Sequence, residues 1–233
     1  MFKRGGLKII IISAIIGAGF FCWKEVEADQ NAQNILISEI QIGGATAYDE
    51  FVELYNPTDR DINLEGWKMQ TKSANSGTWI NRTGSSGLPT VVIYSGGYSL
   101  LAAKDYSLSI VPDFRHLFNW GLADGGGHVR IIDNSNIEID KVGYGDVNDP
   151  EGAATPATGK NLARNIVNGI MQDTNNNNAD FEIKDTPNPQ NSNSAIVAPL
   201  PIEEPENSAT STPTADRPAV AAPPTDAETA TST

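Results

Sequence analysis

Apolar residues between Ile35 and Tyr144 come in short runs, and turn-forming residues close nearly every one. Ile35–Ile42 is rich in β-branched residues, Val52 and Leu54 alternate with Glu53 inside Glu50–Asn56, and Trp67 and Met69 flank Lys68. Thr78–Asn81 carries Trp79 and Ile80, Val91–Tyr94 and Tyr98–Ala103 are apolar, and Val129 and Ile131 alternate with His128 and Arg130. Gly43-Gly44, Asn56-Pro57, Gly84–Gly87, Gly96-Gly97, Asp124–Gly127, Asp133-Asn134 and Asp149-Pro150 punctuate the series. An amphipathic helix needs roughly ten or more uninterrupted residues of 3.6-residue period, which this punctuation denies. Short strands separated by turn chemistry predict an all-β sandwich or barrel. Val52, Leu54, Trp67, Leu100, Val129, Ile131 and Val142 are its expected core.

Two local features sharpen the reading. Ile137 and Ile139 alternate with Glu138 and Asp140, but Val142 and Tyr144 have changed parity. A strand whose inward set shifts by one contains an extra residue, so a β-bulge is expected near Asp140-Lys141. Asn161–Met171 is the one helix candidate beyond the N-terminus, with Asn168 and Gly169 against it.

The two ends of the chain differ in kind from its middle. Lys3, Arg4 and Lys8 precede an apolar stretch, Ile9–Trp23, and Val26-Glu27-Ala28 offers smallish residues for cleavage before Asp29. This has the form of a secretory signal. The alternative is a retained anchor, although its 15 residues are short against the ~20 of a membrane-spanning helix. Cys22 is the only cysteine and lies in that segment, with Phe20 and Phe21 where a lipoprotein signal carries small residues. Beyond it no disulfide framework is available, so stability has to come from a core. Residues 195–233 turn to Pro, Thr, Ala, Ser and Glu, a composition too poor in apolar surface to offset its ordering entropy. The expected organisation is a signal or anchor over 1–28, a folded region over 35–194 and a disordered acidic stalk over 195–233. The destination is outside the cytoplasm, either secreted or held at the surface by the N-terminal segment. The form of the signal and the lack of disulfides point to a bacterial host.

Read in order, several segments resemble one family. They are Ile35-Leu-Ile-Ser-Glu-Ile40, Asp49-Glu-Phe-Val-Glu-Leu-Tyr-Asn-Pro57, Asn63-Leu-Glu-Gly-Trp67, Ser95-Gly-Gly-Tyr-Ser-Leu-Leu101 and NWGLADGGGHVRIIDNSNIEIDKVGY over 119–144. Together they resemble the lamin tail domain. The segment 173–181 with Asp185-Thr-Pro-Asn-Pro189 is similar to an extension of bacterial members. The resemblance covers 35–194 and divides it into a core, 35–145, and an extension, 146–194. It implies an immunoglobulin-like β-sandwich. In animal lamins the domain is a docking surface carried behind a coiled-coil rod. Neither rod nor heptad repeat is present here, so a filament-forming role does not carry over. Bacterial proteins of this kind are exported modules, alone or beside nucleases or surface domains, and the fold by itself does not choose among roles.

The residue inventory speaks against catalysis and cofactors. His116 and His128 are the only histidines; His128 alternates with Val129 and is expected on an exposed sheet face, His116 in a loop. No zinc-ligand spacing, nucleophile elbow, phosphate loop or dinucleotide fingerprint is present. Gly125-Gly126-Gly127 lacks the Lys-Ser/Thr of a phosphate loop and is expected in a hairpin turn. Glu50 and Glu53, three apart on a strand, face opposite sides, and Glu53 is expected in solvent or at a sheet edge. Asp173, Asn175 and Asn177 have the opening spacing of a calcium loop, with Asp180 following. Asn178 stands at the Gly place and Lys184 at the Glu place, so an Asx-turn reading stands beside the ion. Asn81-Arg82-Thr83 is a glycosylation triplet.

Charge narrows the partners. The chain is net −13, and removing the four basic and two acidic residues of 1–28 leaves −15. Residues 35–194 hold 11 Lys and Arg against 20 Asp and Glu. Such a domain repels phosphate backbones, so protein or neutral glycan is expected as partner rather than nucleic acid, with membrane contact only through the N-terminal segment. The first function expected is a non-enzymatic envelope module for protein binding or attachment. The alternative is a polysaccharide-binding or accessory module of a secreted enzyme system, with Trp79, Trp120, Tyr48, Tyr94 and Tyr98 as candidates to stack sugar rings. Contact is expected on Ser73–Gly77, Gly84–Gly87 or Asp124–Gly127.

Overall fold

The structure is a computed structural model that describes residues 34–44, 46, 48–117, 119–156 and 161–197. The expected signal, the stalk beyond 197 and the spacer before 34 lie outside the described residues. Fourteen strands run in chain order. The first seven are β1 (Leu36–Gln41), β2 (Phe51–Tyr55), β3 (Ile62–Asn63), β4 (Lys68–Ser73), β5 (Ile80–Asn81), β6 (Val92–Ile93) and β7 (Tyr98–Ala102). The rest are β8 (Phe114–Arg115), β9 (Gly126–Ile132), β10 (Glu138–Gly145), β11 (Asn161–Arg164), β12 (Ile166–Val167), β13 (Ile170–Met171) and β14 (Phe181–Lys184). One helical turn, α1 (Asn177–Asp180), precedes β14.

Six strands form one sheet in the order β14-β11-β1-β2-β7-β8, and four form the other in the order β10-β9-β4-β5. Every pairing is antiparallel except β7 with β8. The facing sides meet in one core of Ile35, Ile37, Ile40, Val52, Leu54, Met69, Leu101, Val129, Ile131, Val142, Tyr144 and Leu162 with their neighbours. The alternation in the sequence is thus the alternation of a pleat with one side on this core. This is the immunoglobulin-like β-sandwich. Of the expected core only Trp67 stays half-exposed, against the core's rim, and Leu100, though buried, faces away from it with Phe51, Ala102 and Tyr106.

β1, β2 and β7 are buried on both faces, because the outer side of the large sheet is covered as well. Tyr106, Leu108 and Ile110 cover Phe51 and Leu100, while Met171 packs with Leu36, Tyr55 and Tyr98. Segment 186–197 crosses the same face as a strap. Its backbone N–H groups at Asn188, Gln190 and Ser192 donate to Glu39, Glu53 and Asp113. Val197 N–H closes on Gly96 O at 2.9 Å, and Gly96 (φ 69°) has no room for a side chain beside Val197 O. Residues 195–197, assigned to the stalk, are thus part of the described strap, with Val197 held on Gly96.

Two further expectations change. The bulge lies at Ile139, where Glu138 pairs with Ile132 and Asp140 already with Ile131, one residue before the expected place. A second shift at Ser38 on β1 was not foreseen. The helix candidate Asn161–Met171 is instead β11 followed by the β12–β13 hairpin. Asn168 (φ 54°) and Gly169 (φ 81°) take the left-handed positions that a two-residue hairpin turn requires.

β11 explains that outcome. Arg164 at its end is buried, and Nη2 meets Asp140 Oδ2 of β10 at 2.6 Å. Nε donates to Ile37 O of β1 at 2.9 Å, and Nη1 to Gln172 O at 2.9 Å. Asp140 Oδ2 also accepts Ile37 N–H at 2.6 Å, so one ion pair ties the two sheets together. Breaking such a buried pair on one side costs about 3–5 kcal/mol. Arg164→Met and Asp140→Asn are each expected to lower Tm by on the order of 10 °C, read by calorimetry. A change of under ~3 °C would place the tie elsewhere.

Candidate functional site

The titratable groups that could do chemistry are engaged in holding backbone. Glu50 lies just before β2 on the core side and is 1% exposed. Its carboxylate accepts N–H from Trp120 at 3.0 Å, Gly121 at 2.9 Å and Leu122, pinning the loop that carries Trp120 into the core. Burial raises its pKa against those three donors. Glu53 points the other way, as expected of residues three apart, but not into solvent and not at an edge. β2 is interior to its sheet, and Glu53 is 2% exposed beneath the strap. It accepts Ser38 Oγ at 2.6 Å and Gln190 N–H at 2.5 Å. Neither partner is legible in local sequence, since both arrive through tertiary structure.

His128 corrects another expectation. Its parity is right, pointing away from Val129, yet it is 0% exposed. Trp79 covers it from one side, edge-on with ring centroids 5.8 Å apart. On the other side its β10 partner is Gly143, whose missing side chain lets Pro150 lie on the sheet. Burial and the nearby Lys72 ammonium hold its pKa down. His116 follows β8, half-buried, its N–H donating to Ala102 O.

The calcium-loop residues separate. Asp173 and Asp180 turn toward Arg164 Nη1, at 3.4 and 3.9 Å. Asp180 also accepts Thr174 N–H, Thr174 Oγ1 and Asn176 N–H, closing the loop on itself. Asn177 is buried elsewhere, Oδ1 accepting Gly143 and Glu151 N–H and Nδ2 donating to Lys141 O. Asn175 is exposed with φ 56°. The guanidinium stands where the loop's spacing invited an ion, and the Asx-turn reading accounts for the segment. Among the described residues no group of three or more His, Cys, Asp or Glu is placed to hold a metal.

The proposed sugar platform does not assemble. Trp120 is 2% exposed in the core, and Tyr98 is buried against Tyr55 at 4.9 Å between centroids. Tyr48 and Tyr94 are exposed, but they precede β2 and β7, antiparallel neighbours, and so lie at opposite ends of the sheet. The contact loops divide too. Ser73 pairs with Gly127, which joins Ser73–Gly77 and Asp124–Gly127 at one end, while Gly87 sits on Gly66 at the other.

What remains is Trp79 on the outer face of the small sheet. The Arg130 guanidinium carbon lies 4.1 Å from its ring centroid and Lys72 Nζ 4.7 Å. Behind these cations, Lys72 and Lys141 share Asp149 (2.8 and 3.3 Å), and Arg130 and Lys141 share Glu138 (2.9 and 3.4 Å). Lys72 holds the Asp149 carboxyl below its usual range. Ile80, beside Trp79 on edge strand β5, is 48% exposed. An indole held against two cations beside a sheet edge is a ready contact surface.

Glu53 supplies a pH test of the strap. Burial, with Glu39 beside it, raises its carboxyl from 4.5 to about 8. A raised folded pKa gives stability that is complete below the unfolded value and is lost as pH rises through the folded one. Glu39, Tyr98 and Tyr106 act on it directly, Tyr55 lies against Tyr98 and Lys184 acts on Glu39, and Glu39 shifts in the same direction. Tm is expected to fall between pH 5 and pH 9, and the fall to shrink in Glu53→Gln. An equal fall in both proteins would show that Glu53 has no part in it.

A search of curated proteins finds none that matches. Among solved structures, the crystal structure of a DUF4876 family protein from Bacteroides thetaiotaomicron VPI-5482 is similar at 16% identity, covering 65% of this chain and 71% of that one with a TM-score of 0.47. Residues 28–146, which is 119 of 233, match the family described as Lamin Tail Domain. That match runs from before β1 through β10 and takes in the facing strands of both sheets. The chain therefore belongs to the lamin tail domain family, whose domains are non-enzymatic β-modules.

Proposed function

We propose that this protein is an exported envelope module that works by binding a protein partner, with the Trp79 face as its contact surface. One observation carries the reading: Trp79 and Arg130 form an aromatic–cationic surface at a sheet edge with the buried Lys72 ammonium behind the ring, while the buried carboxylates and His128 serve the fold. Partly desolvated Trp and Arg side chains are the residue types that contribute most at protein interfaces. The carboxylates behind the cations leave little net charge, so association relies on contact more than on long-range attraction. Export rests on the signal-like residues 1–28. Glycan binding is the lesser reading, since Trp79 alone of the five aromatics proposed for it stands beside a second recognition group.

Cross-linking on intact cells, followed by mass spectrometry, tests both parts. The mature chain is expected outside the cytoplasm, beginning at Asp29 if the signal is cleaved. A protein adduct is expected to fall at least ~10-fold in Trp79→Ala and in Arg130→Glu, and to persist in Tyr94→Ala. Circular dichroism on each variant checks that the sandwich is intact. An adduct indifferent to Trp79 and Arg130, or saturable binding to a glycan array, would overturn the assignment.

A further inference from the structure

The large sheet ends at β14, and among the described residues no strand pairs with the outer side of that strand. Its residues alternate between two sides. Phe181 is buried in the core at 4% exposure, so Ile183, two residues on, lies on the same side, 40% exposed at the rim. Glu182 and Lys184 stand on the opposite side, 50% and 47% exposed, with Lys184 Nζ 2.5 Å from Glu182 Oε1.

The ladder to β11 fixes which backbone groups of this edge remain. Leu162 pairs with Ile183 and Ala163 with Glu182, and the same register continues to Asn165, whose N–H donates to Asp180 O at 2.7 Å. In an antiparallel pair, hydrogen-bonded residues alternate with residues whose N–H and C=O point away from the partner strand. Asn165 opposite Asp180 is the hydrogen-bonded kind, so Glu182 and Lys184 also turn their backbone groups to β11. Ile183 turns its N–H and C=O outward, where a further strand would lie.

The strand that fits there is β14 itself. With a second copy antiparallel about a two-fold axis at Ile183, the two Ile183 residues exchange both outward hydrogen bonds, and their apolar side chains meet. Glu182 then falls opposite Lys184 of the second copy, and Lys184 opposite its Glu182, in the closely spaced non-hydrogen-bonded positions. Shifting the second copy by two residues either way also keeps Ile183 hydrogen-bonded. One shift sets Glu182 against Glu182 and the other Lys184 against Lys184, and like charges directly opposite are destabilising. Only the register centred on Ile183 satisfies backbone and charge together. Each charge already has a partner within its own strand, so the charges select this alignment more than they add affinity.

We propose that β14 is a self-association edge, through which two copies of this chain form a symmetric dimer with their six-stranded sheets joined into one. A contact of one short strand is small, so the dimer belongs to the weak, transient class of interfaces. It is separate from the Trp79 contact surface, which stands on the small sheet.

Sedimentation equilibrium of the full chain, from micromolar to millimolar concentration, tests this. A reversible monomer–dimer equilibrium is expected in the wild type and in Trp79→Ala. Glu182→Lys and Lys184→Glu, each alone, set like charges across the axis and are expected to weaken the dimer about 10-fold, since symmetry repeats each pair. Mixing these two variants is expected to give a heterodimer, and the chain carrying both changes to regain the wild-type constant. Ile183→Pro removes an N–H that the ladder does not use, and is expected to abolish the dimer with the circular dichroism unchanged. A wild-type chain that stays monomeric throughout overturns the proposal. So does a dimer indifferent to the single charge reversals or to Ile183→Pro, or one lost in Trp79→Ala. The wild-type equilibrium and the mixing experiment decide the matter even if the proline variant fails to fold.

Discussion

The sandwich depends on one buried ion pair. Arg164 reaches from the large sheet across to Asp140 in the small one, and the same Asp140 oxygen receives the Ile37 N–H. Ile37 lies next to the bulge at Ser38, where the regular β1 ladder is interrupted, and Asp140 follows the bulge at Ile139. Each bulge leaves backbone groups that the ladders do not use, and the ion pair satisfies them. A hydrophobic core alone would tolerate sliding of one sheet over the other; a guanidinium with directed donors does not. The Arg164 fork also meets Gln172 O and Asp173, so the approach to β14 is set from the same point.

That dependence explains the composition of the large sheet. β11 (NLAR) and β14 (FEIK) are short and half polar, and neither would hold its place by burial alone. They stay because Arg164 is pinned and Phe181 lies under it, 4.5 Å from the guanidinium carbon to the ring centroid. With β11 on one side and β2 on the other, β1 has no free edge, and the strap, Tyr106 and Met171 then cover its outer face. Closing a sheet this way lessens edge exposure in a chain whose single cysteine, Cys22, offers no internal disulfide.

The sequence made part of this legible, and the reason is geometric. Val52, Leu54, Val129 and Ile131 could be placed because one side of their strands meets the core and the pleat has period two. The parity change at Val142 announced a bulge for the same reason, to within a residue. His128 shows where that logic stops. Alternation gave its direction correctly, but its burial is decided by Trp79 and Pro150, which come from loops on other strands. Glu53 is the same case, since a strap more than a hundred residues later turns a solvent-facing position into an interior one. Asn161–Met171 failed for a different reason: its strands are held by Arg164, a long-range partner that no local propensity records. The Trp79 surface was legible as a residue but not as a site, because its two cations sit on different strands.

The start of β1 and the end of the strap, Val197, lie side by side. Leu36 begins β1 opposite Tyr55, Tyr55 is opposite Tyr98, and Val197 rests on Gly96 with its carbonyl 3.5 Å from the Tyr55 hydroxyl. Force applied between the start of β1 and Val197 would therefore act on one end of the large sheet rather than along its strands. The first things to yield would be the Val197–Gly96 contact and the strap, peeled one hydrogen bond at a time. β1 would follow from its Leu36 end as a zipper, not in shear. The loops at Ser73–Gly77 and Asp124–Gly127, at the far end, would feel no such pull and would keep their shape while the near end opened.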